Sequence, residues 1–328
     1  MIEIRNLTKT FGSFTAVDGI TFDVKPGEVL GFLGPNGAGK STTMKMVTGF
    51  LPPTSGTAIV CGHDVVRDPM AVKRALGYLP EGAPLYPDMT PLSLLRFVAA
   101  TRGLKGAKAK EAIDRAVDRV RLQSVLHQRI ETLSKGFKRR VGLAQAILHE
   151  PKVLILDEPT DGLDPNQKEQ VRELIGEMSK ERVVLLSTHI LEEVEAVCTR
   201  AIVIARGKLL FDGTPAEFAE RSPYHGAISL TLVGVESARV SQQLGGLPGV
   251  LRVEAGTNGT DGQANFMILP SGNAKILPVV ARTVHDANWE VDHMSVERGR
   301  LDKVFREITL GTPRVGSGPS AAKVEAGR

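Results

Sequence analysis

Residues 29–41 decide the fold, and they read Val29-Leu30-Gly31-Phe32-Leu33-Gly34-Pro35-Asn36-Gly37-Ala38-Gly39-Lys40-Ser41. The first five form a continuous apolar run, which predicts a strand that is covered on both faces of its sheet. The rest fits the pattern G-x-x-x-x-G-K-S, and Thr43, Met46, Val47 and Phe50 follow it at helical spacing. A strand that passes through a glycine-rich turn into a helix is the context in which this pattern binds phosphate.

The residue types of this loop suit a nucleotide phosphate chain. Glycines let main-chain N–H groups approach the phosphates, and the helix start directs its positive dipole end at them. Lys40 adds a positive charge toward the β- and γ-phosphates, and the Ser41 hydroxyl is a candidate Mg²⁺ ligand. The predicted nucleotide-binding residues are Gly34, Pro35, Asn36, Gly37, Ala38, Gly39, Lys40, Ser41 and Thr42.

A second predicted strand, Leu154-Ile155-Leu156, ends in the acids Asp157 and Glu158. The carboxyl ends of parallel strands meet at one edge of a sheet, so these acids are expected beside the phosphate loop. Asp157 is predicted to hold Mg²⁺, and Glu158 to act as general base toward the attacking water. The alternative is that one of them only caps the turn at Pro159.

Composition limits the other possibilities. The 328 residues carry a formal net charge of +4, without the basic stripe that nucleic-acid binding would require. Two widely spaced cysteines, Cys61 and Cys198, suit a reducing cytosol. No apolar run reaches the roughly 18–20 residues of a membrane span, so we expect a cytoplasmic protein that meets the membrane only through a partner.

Strand and helix signals alternate as far as about residue 220, which predicts one α/β domain over 1–220 with a helical subdomain at about 85–150. Within 105–140 basic residues prevail; the simpler reading is a solvated helical face, and the alternative is a surface near anionic lipid. The order β-α-β-β-α-β over 226–310 predicts a small α+β domain of the ferredoxin-like kind. The Gly-, Ser- and Pro-rich stretch 311–328 predicts a disordered tail.

Taken together, the motifs resemble those of the ATP-binding subunits of ABC transporters. Leu133-Ser134-Lys135-Gly136-Phe137 stands where that family has its LSGGQ signature, shortly before the acidic strand. Gly162-Leu163-Asp164 and Ser187-Thr188-His189 follow in the family's order. The resemblance covers about residues 1–215 and implies a P-loop NTPase fold of the ABC ATPase type, with ATP and Mg²⁺ as cofactors.

The resemblance also assigns roles to individual residues. Ser134, at the start of a helix, and Gly136 would face the γ-phosphate of an ATP held by another subunit. His189 would contact the γ-phosphate as a catalytic residue, and Asp164 would lie at the subunit interface. Phe11 would stack on the adenine ring.

The sequence departs from the family pattern at two places. Lys135 and Phe137 replace the Gly and Gln of the signature. Glu81 stands in the loop where most members have a Gln that contacts the metal, and the resemblance implies Glu81 as a third metal ligand beside Ser41 and Asp157. Both departures are similar to the branch that serves type-2 ABC exporters, including gliding-motility and copper-site-maturation ATPases.

This family resemblance implies a homodimer of ATPase subunits, an integral-membrane permease as partner and a location on the inner face of the cell membrane. Residues 82–88 are the expected docking loop for that permease. Two alternatives remain: an ABC-type ATPase that does not serve transport, and a P-loop kinase. The kinase would account for the phosphate loop and the acids but not for Leu133–Phe137 or Ser187–His189.

Overall fold

The computed structural model describes residues 1–82, 84–180, 182–256, 262–299 and 301–310. The chain divides into two compact units, Met1–Pro215 and Ala216–Arg328. The tail that the sequence predicts at 311–328 lies outside the described residues. Within the described ranges, no helix combines the length and the apolar character that a crossing of the bilayer requires.

The strands of the first unit form two sheets. They are β1 (Ile2–Phe11), β2 (Phe14–Val24), β3 (Val29–Leu33), β4 (Ser55–Val60), β5 (His63–Asp64), β6 (Leu76–Leu79), β7 (Val153–Asp157), β8 (Val183–Thr188), β9 (Arg200–Ala205) and β10 (Lys208–Gly213). An antiparallel sheet has the order β2-β1-β4-β5, and the second sheet has the order β10-β9-β3-β8-β7-β6. In the second sheet the strands from β9 to β6 run parallel, and only β10 pairs in the antiparallel sense.

Strands β3 and β7 confirm the buried strands that the sequence predicts at 29–33 and 154–156, and β8 has the same apolar character. Every residue of these three strands is buried. They are buried because both faces of the parallel sheet are covered, which is why their sequences are apolar throughout rather than alternating. On one face the antiparallel sheet and the phosphate-loop helix share a core with them, in which the rings of Phe22 and Phe32 lie 5.6 Å apart.

The helices of this unit lie between the strands along the chain. They are α1 (Lys40–Val47), α2 (Pro69–Ala75), α3 (Pro91–Thr101), α4 (Gly106–Arg119), α5 (Lys135–Ile147), α6 (Pro165–Ser179) and α7 (Leu191–Val197). Thr43, Met46 and Val47 are buried on α1 as their spacing predicts. Phe50 is 75% exposed, however, because the helix ends at Val47 and Gly49, with φ of 66°, turns the chain away.

Helices α3, α4 and α5 contact one another and lie within the predicted helical subdomain at 85–150. Short 3-10 turns at Gln123–Val125 and Ile130–Thr132 connect α4 to α5. The basic stretch is largely solvated on α4, where Lys108 and Lys110 are exposed. The reading of the whole stretch as a solvated face is wrong at Arg139, which is 6% exposed.

The second unit is an antiparallel sheet with helices against one face. Its elements are α8 (Pro215–Glu220), β11 (Ile228–Val233), α9 (Ser237–Gly245), β12 (Val250–Ala255), β13 (Gln263–Pro270), α10 (Leu277–Asp286), β14 (Glu290–Val296) and α11 (Leu301–Leu310). The sheet order is β12-β13-β11-β14, and its core joins β11 and β13 to α9 and α10. The β-α-β-β-α-β order is observed, while the ferredoxin-like assignment stays a prediction.

Candidate functional site

The phosphate loop connects β3 to α1, and its glycines are required by close approaches. A Cβ atom on Gly34 would lie 2.4 Å from the carbonyl oxygen of Ile204, and one on Gly39 would lie 2.5 Å from that of Ala16. Gly39 also has φ of 108°, in the left-handed region that side chains disfavour, at the position just before α1. The loop therefore has the tight main-chain path that phosphate binding needs.

Lys40 begins α1 and points its ammonium group back into this loop. Its Nζ atom donates to the carbonyl oxygen of Gly34 at 2.7 Å, and the residue is only 7% exposed. Burial lowers the pKa of Lys40, although the charges of Glu158, Asp157 and Glu81 act against that shift. A buried cation at the start of a helix, where the helix dipole is positive, is suited to an anionic ligand.

Asp157 ends β7, where it is 1% exposed. It lies opposite Ser187 of β8 in the strand register, and the Ser187 hydroxyl donates a hydrogen bond to its carboxylate. The serine thereby fixes one carboxylate oxygen and leaves the other for a further partner. Sequence reasoning missed this contact, since it depends on the register of two strands that are distant along the chain.

Glu158 follows directly and is 9% exposed, with φ of 50° in the left-handed region. Its Oε2 atom lies 2.9 Å from Nδ1 of His189, and its Oε1 atom lies 3.8 Å from Nζ of Lys40. Burial raises the pKa of Glu158, while the hydrogen bond from His189 and the charge of Lys40 act to lower it. A carboxylate only accepts hydrogen bonds, so the ionised Glu158 requires the proton of the His189 ring on Nδ1.

Strand register explains why these residues meet. Leu33, at the end of β3, is paired with Thr188, the last residue of β8. Asp157 is paired with Ser187 on the other side of β8. The phosphate loop, the two acids and His189 therefore leave the sheet at the same edge, as the sequence predicts for parallel strands.

A buried acid on α7 stabilises the turn that carries His189. Glu193 is 3% exposed, and its carboxylate accepts hydrogen bonds from Thr160 and, at 2.8 Å, from Thr188. The Thr188 hydroxyl in turn accepts from the main-chain N–H of Ile190 at 3.0 Å. Through Glu193, these hydrogen bonds connect the turn after β7 with the turn after β8, next to Asp157 and Glu158.

Ser134 and Asp164 both cap helices. The Ser134 hydroxyl accepts from the N–H of Phe137 at 3.3 Å at the start of α5, which confirms the predicted N-cap. Asp164 accepts from the N–H of Gln167 at 2.9 Å at the start of α6. No hydrogen bond or ion pair in the described part of the chain joins Ser134 or Gly136 to the phosphate loop of the same molecule.

Phe11 and Glu81 lie in exposed positions. Phe11 ends β1 with 49% exposure, and the Lys9 ammonium lies 5.3 Å from the centre of its ring. Glu81 follows β6 in a turn. Its charge raises the pKa of Lys40 less than the charges of Glu158 and Asp157 do. The adenine role of Phe11 and the metal role of Glu81 stay predictions.

The residues at the sheet edge fit a magnesium ion that a nucleotide brings with it. Across the described ranges, no group of three or more His, Cys, Asp or Glu side chains is arranged to enclose a metal. Mg²⁺ commonly uses one or two protein oxygens together with phosphate oxygens and water. The half-buried Ser41 on α1 and the Asp157 carboxylate, oriented by Ser187, offer two such oxygens.

Comparisons with known proteins agree with this geometry. A family model described as "ABC transporter" matches residues 17–161. The chain is 42% identical over 223 residues to the probable multidrug ABC transporter ATP-binding protein YbhF of Escherichia coli, covering 68% of this chain but only 38% of that relative. It is 39% identical over 220 residues to Nod factor export ATP-binding protein I of Paraburkholderia xenovorans, covering 66% of this chain and 71% of the relative.

A solved structure described as the ATP-binding subunit of an ABC transporter has the same fold. It superposes with a TM-score of 0.63 at 32% sequence identity. The match covers 67% of this chain and 92% of that chain.

Proposed function

Because this chain belongs to the ABC transporter ATP-binding family, we propose that it hydrolyses ATP to power a separate membrane permease that exports its substrate. The observation that carries the proposal is the position of Glu158, whose two carboxylate oxygens lie 2.9 Å from His189 Nδ1 and 3.8 Å from Lys40 Nζ. A base held between a phosphate-binding cation and an orienting histidine suits attack of water on a terminal phosphate.

In the proposed reaction, ATP lies along the phosphate loop with its γ-phosphate beside Lys40. Glu158 takes a proton from water as the water oxygen bonds to the γ-phosphorus, and the bond to the β–γ bridging oxygen breaks to leave ADP. Lys40 stabilises the charge on the phosphates. His189 contacts the γ-phosphate and also holds the Glu158 carboxylate in line with the water. Most of the acceleration comes from positioning and charge stabilisation, since phosphoryl transfer needs little covalent help.

Ser41 and Asp157 would hold Mg²⁺ at this edge. When bound, the ion would supply positive charge that neutralises part of the charge on the phosphates. The metal ligand role of Glu81 is proposed on the family resemblance alone.

The ATP-bound form is proposed to be a homodimer. Ser134 and Gly136 lie at the start of α5, where main-chain N–H groups and the helix dipole favour an anion. No hydrogen bond or ion pair among the described residues joins them to the phosphate loop of their own chain, and on the family resemblance the γ-phosphate that they face would belong to a second copy. In this arrangement Asp164 lies between the copies, Phe11 stacks on adenine, and hydrolysis releases the dimer.

The names of relatives support the proposed direction of transport. The names of two relatives include "multidrug ABC transporter" and "Nod factor export", which supports an exporter. The permease would dock at the loop 82–88, whose Tyr86 is 56% exposed and packs edge-on against Phe97 at 6.0 Å. The chain would then be a cytoplasmic subunit held at the inner face of the membrane by that permease.

Phosphate release by the wild-type chain and by Glu158→Gln tests the function. The wild type should hydrolyse ATP, and Glu158→Gln should do so roughly 100- to 10,000-fold more slowly while binding ATP and accumulating an ATP-dependent dimer. Glu177→Gln, an exposed change on α6, should behave as wild type. A wild type without ATPase activity in the presence of Mg²⁺ would contradict the proposed function, and rapid turnover by Glu158→Gln would remove Glu158 as the base.

A further inference from the structure

Arg139 is a buried cation whose neighbours are main-chain carbonyls. It lies on the second turn of α5 and is 6% exposed. Its Nε atom donates to the carbonyl oxygen of Pro159 at 3.2 Å, and Nη1 donates to that of Pro80 at 3.2 Å. Its Nη2 atom donates to the carbonyls of both Asp157 and Glu158.

Only arginine can make this set of contacts from one side chain. Its guanidinium group presents five N–H donors in a fixed plane, whereas lysine offers a single point charge. Burial lowers the pKa of Arg139, and the charges of Asp161, Asp157, Glu158 and Glu81 act against that shift, so the side chain stays protonated. The buried charge is therefore compensated by carbonyl dipoles on one side and by several carboxylates in its surroundings.

The contacts of Arg139 converge on the segment that orients Glu158. The left-handed φ of Glu158 is unfavourable for a residue with a side chain, so it needs to be held by its surroundings. On the N-terminal side, the main-chain N atom of Glu158 lies 3.2 Å from both the carbonyl oxygen and the hydroxyl oxygen of Ser187. On the C-terminal side, its carbonyl accepts from Arg139 and from the N–H of Asp161.

We propose that Arg139 is a positioning residue that fixes the main chain at residues 157–159 and thereby aims the Glu158 carboxylate at the reacting phosphate. Arg139 belongs to α5, the helix that Ser134 caps, so its hydrogen bonds connect this helix to the main chain of Glu158. Its hydrogen bond to the Pro80 carbonyl also connects α5 to the loop that precedes residue 82. A movement of α5 relative to β7 would displace Glu158. This inference rests on the proposed function and assigns it a further residue.

The test compares Arg139→Gln and Arg139→Lys with the wild type. We expect Arg139→Gln to lower kcat by about 100-fold, because a small misplacement of a catalytic group has an effect of that order. The KM for ATP and the Kd of a non-hydrolysable ATP analogue should change by less than about threefold, since the phosphate loop is untouched. Arg139→Lys, which keeps the charge, should recover part of kcat.

A matched control is Arg115→Gln, which removes an arginine from α4 that is 47% exposed and paired with Glu150 at 3.5 Å. It should leave kcat and KM unchanged. The proposal is overturned if Arg139→Gln retains wild-type kcat, if kcat and nucleotide affinity fall together, or if Arg139→Lys is no better than Arg139→Gln. If Arg139→Gln does not fold, the test uses the kcat of Arg139→Lys instead. A fall in kcat of at least about tenfold then supports the proposal, and a wild-type kcat overturns it.

Amide hydrogen exchange on the full chain provides a readout that does not depend on hydrolysis. Replacement of Arg139 should speed exchange within residues 157–161 and leave residues 34–41 unchanged. Exchange that stays at the wild-type rate in 157–161 would overturn the proposal even in an active protein. A wild type that fails to hydrolyse ATP contradicts the proposed function instead, and the exchange result is then still informative about Arg139.

Discussion

Ser187 and Asp157 lie opposite each other on neighbouring parallel strands, and the Ser187 hydroxyl donates a hydrogen bond to the Asp157 carboxylate. Both residues are fully or almost fully buried, at 0% and 1% exposure. The same hydroxyl oxygen also accepts a hydrogen bond from the main-chain N–H of Glu158. Ser187 thus orients the side chain that we assign to the metal.

Ser187→Ala should therefore raise the Mg²⁺ concentration that phosphate release requires, without abolishing folding. Loss of an orienting contact of this kind typically reduces metal affinity or activity by about 10- to 100-fold. The measurement is the Mg²⁺ concentration that gives half-maximal phosphate release. Ser179→Ala, which removes a hydroxyl that donates to the carbonyl of Gly176 on α6, is the control. An unchanged Mg²⁺ requirement in Ser187→Ala would contradict the role of Asp157.

His189 is expected to act through Glu158. His189→Ala removes the ring that holds Oε2 of Glu158 at 2.9 Å, and we expect kcat to fall by about 100-fold or more. His189→Gln keeps a donor near the carboxylate and should retain more activity than His189→Ala. His63→Ala on the exposed short strand β5 should have no effect on kcat. Equal activities of His189→Ala and wild type would show that Glu158 needs no orienting partner.

Some of this site follows from local sequence, and some does not. The glycines from Gly34 to Gly39 and the acids at the end of β7 could be predicted, because a glycine-rich turn and an apolar strand are each defined by neighbouring residues. The burial of Arg139 could not, since the carbonyls that bind it come from Pro80 and from residues 157–159, which are distant along the chain. A count of charges over 105–140 treats Arg139 like its exposed neighbours.

The burial of a residue just beyond a helix end is similarly hard to predict. Helical spacing placed Phe50 on the same face as Met46, but the left-handed Gly49 ends that periodicity and leaves the ring exposed. The N-cap at Ser134 was predictable, because a serine before an amphipathic stretch is a local signal.

His149 should make the stability of the protein depend on pH. Its Nε2 atom lies 3.0 Å from the carbonyl of Leu76, and Nδ1 is buried with no hydrogen-bond partner among the described residues. Burial, together with the charge of Arg102, lowers the pKa of His149 from 6.5 to about 4. A second proton would have to be placed on Nδ1, where it finds no acceptor.

The sign follows from linkage. Because the folded-state pKa is lower than the unfolded value, the stability from His149 is fully present above pH 6.5 and is lost as the pH falls toward 4. The loss is at most about 3 kcal/mol for a shift of this size. Between pH 7 and pH 4.5, His149→Gln should lose less free energy of unfolding than the wild type; equal losses would contradict the prediction. Unfolding should be followed by circular dichroism, since the single tryptophan, Trp289, belongs to the second unit.

Gly136 and Gln167 should be coupled energetically. A Cβ atom on Gly136 would lie 2.2 Å from Oε1 of Gln167, so Gly136→Ala forces the end of that flexible side chain to move. In Gln167→Ala the obstruction is gone, while the main-chain N–H that Asp164 caps remains. Alanine also suits a helix better than glycine, by up to about 1 kcal/mol.

The double variant should therefore be more stable than the sum of the single changes predicts. We expect a coupling free energy of about 0.5–1 kcal/mol from chemical denaturation, within the range typical of residues in contact. Gly176 provides the control on the same helix as Gln167, since a Cβ atom there would meet no atom within 4 Å. Gly176→Ala combined with Gln167→Ala should be additive, and additivity in the Gly136 pair as well would mean that α5 and α6 do not approach each other in solution as they do here.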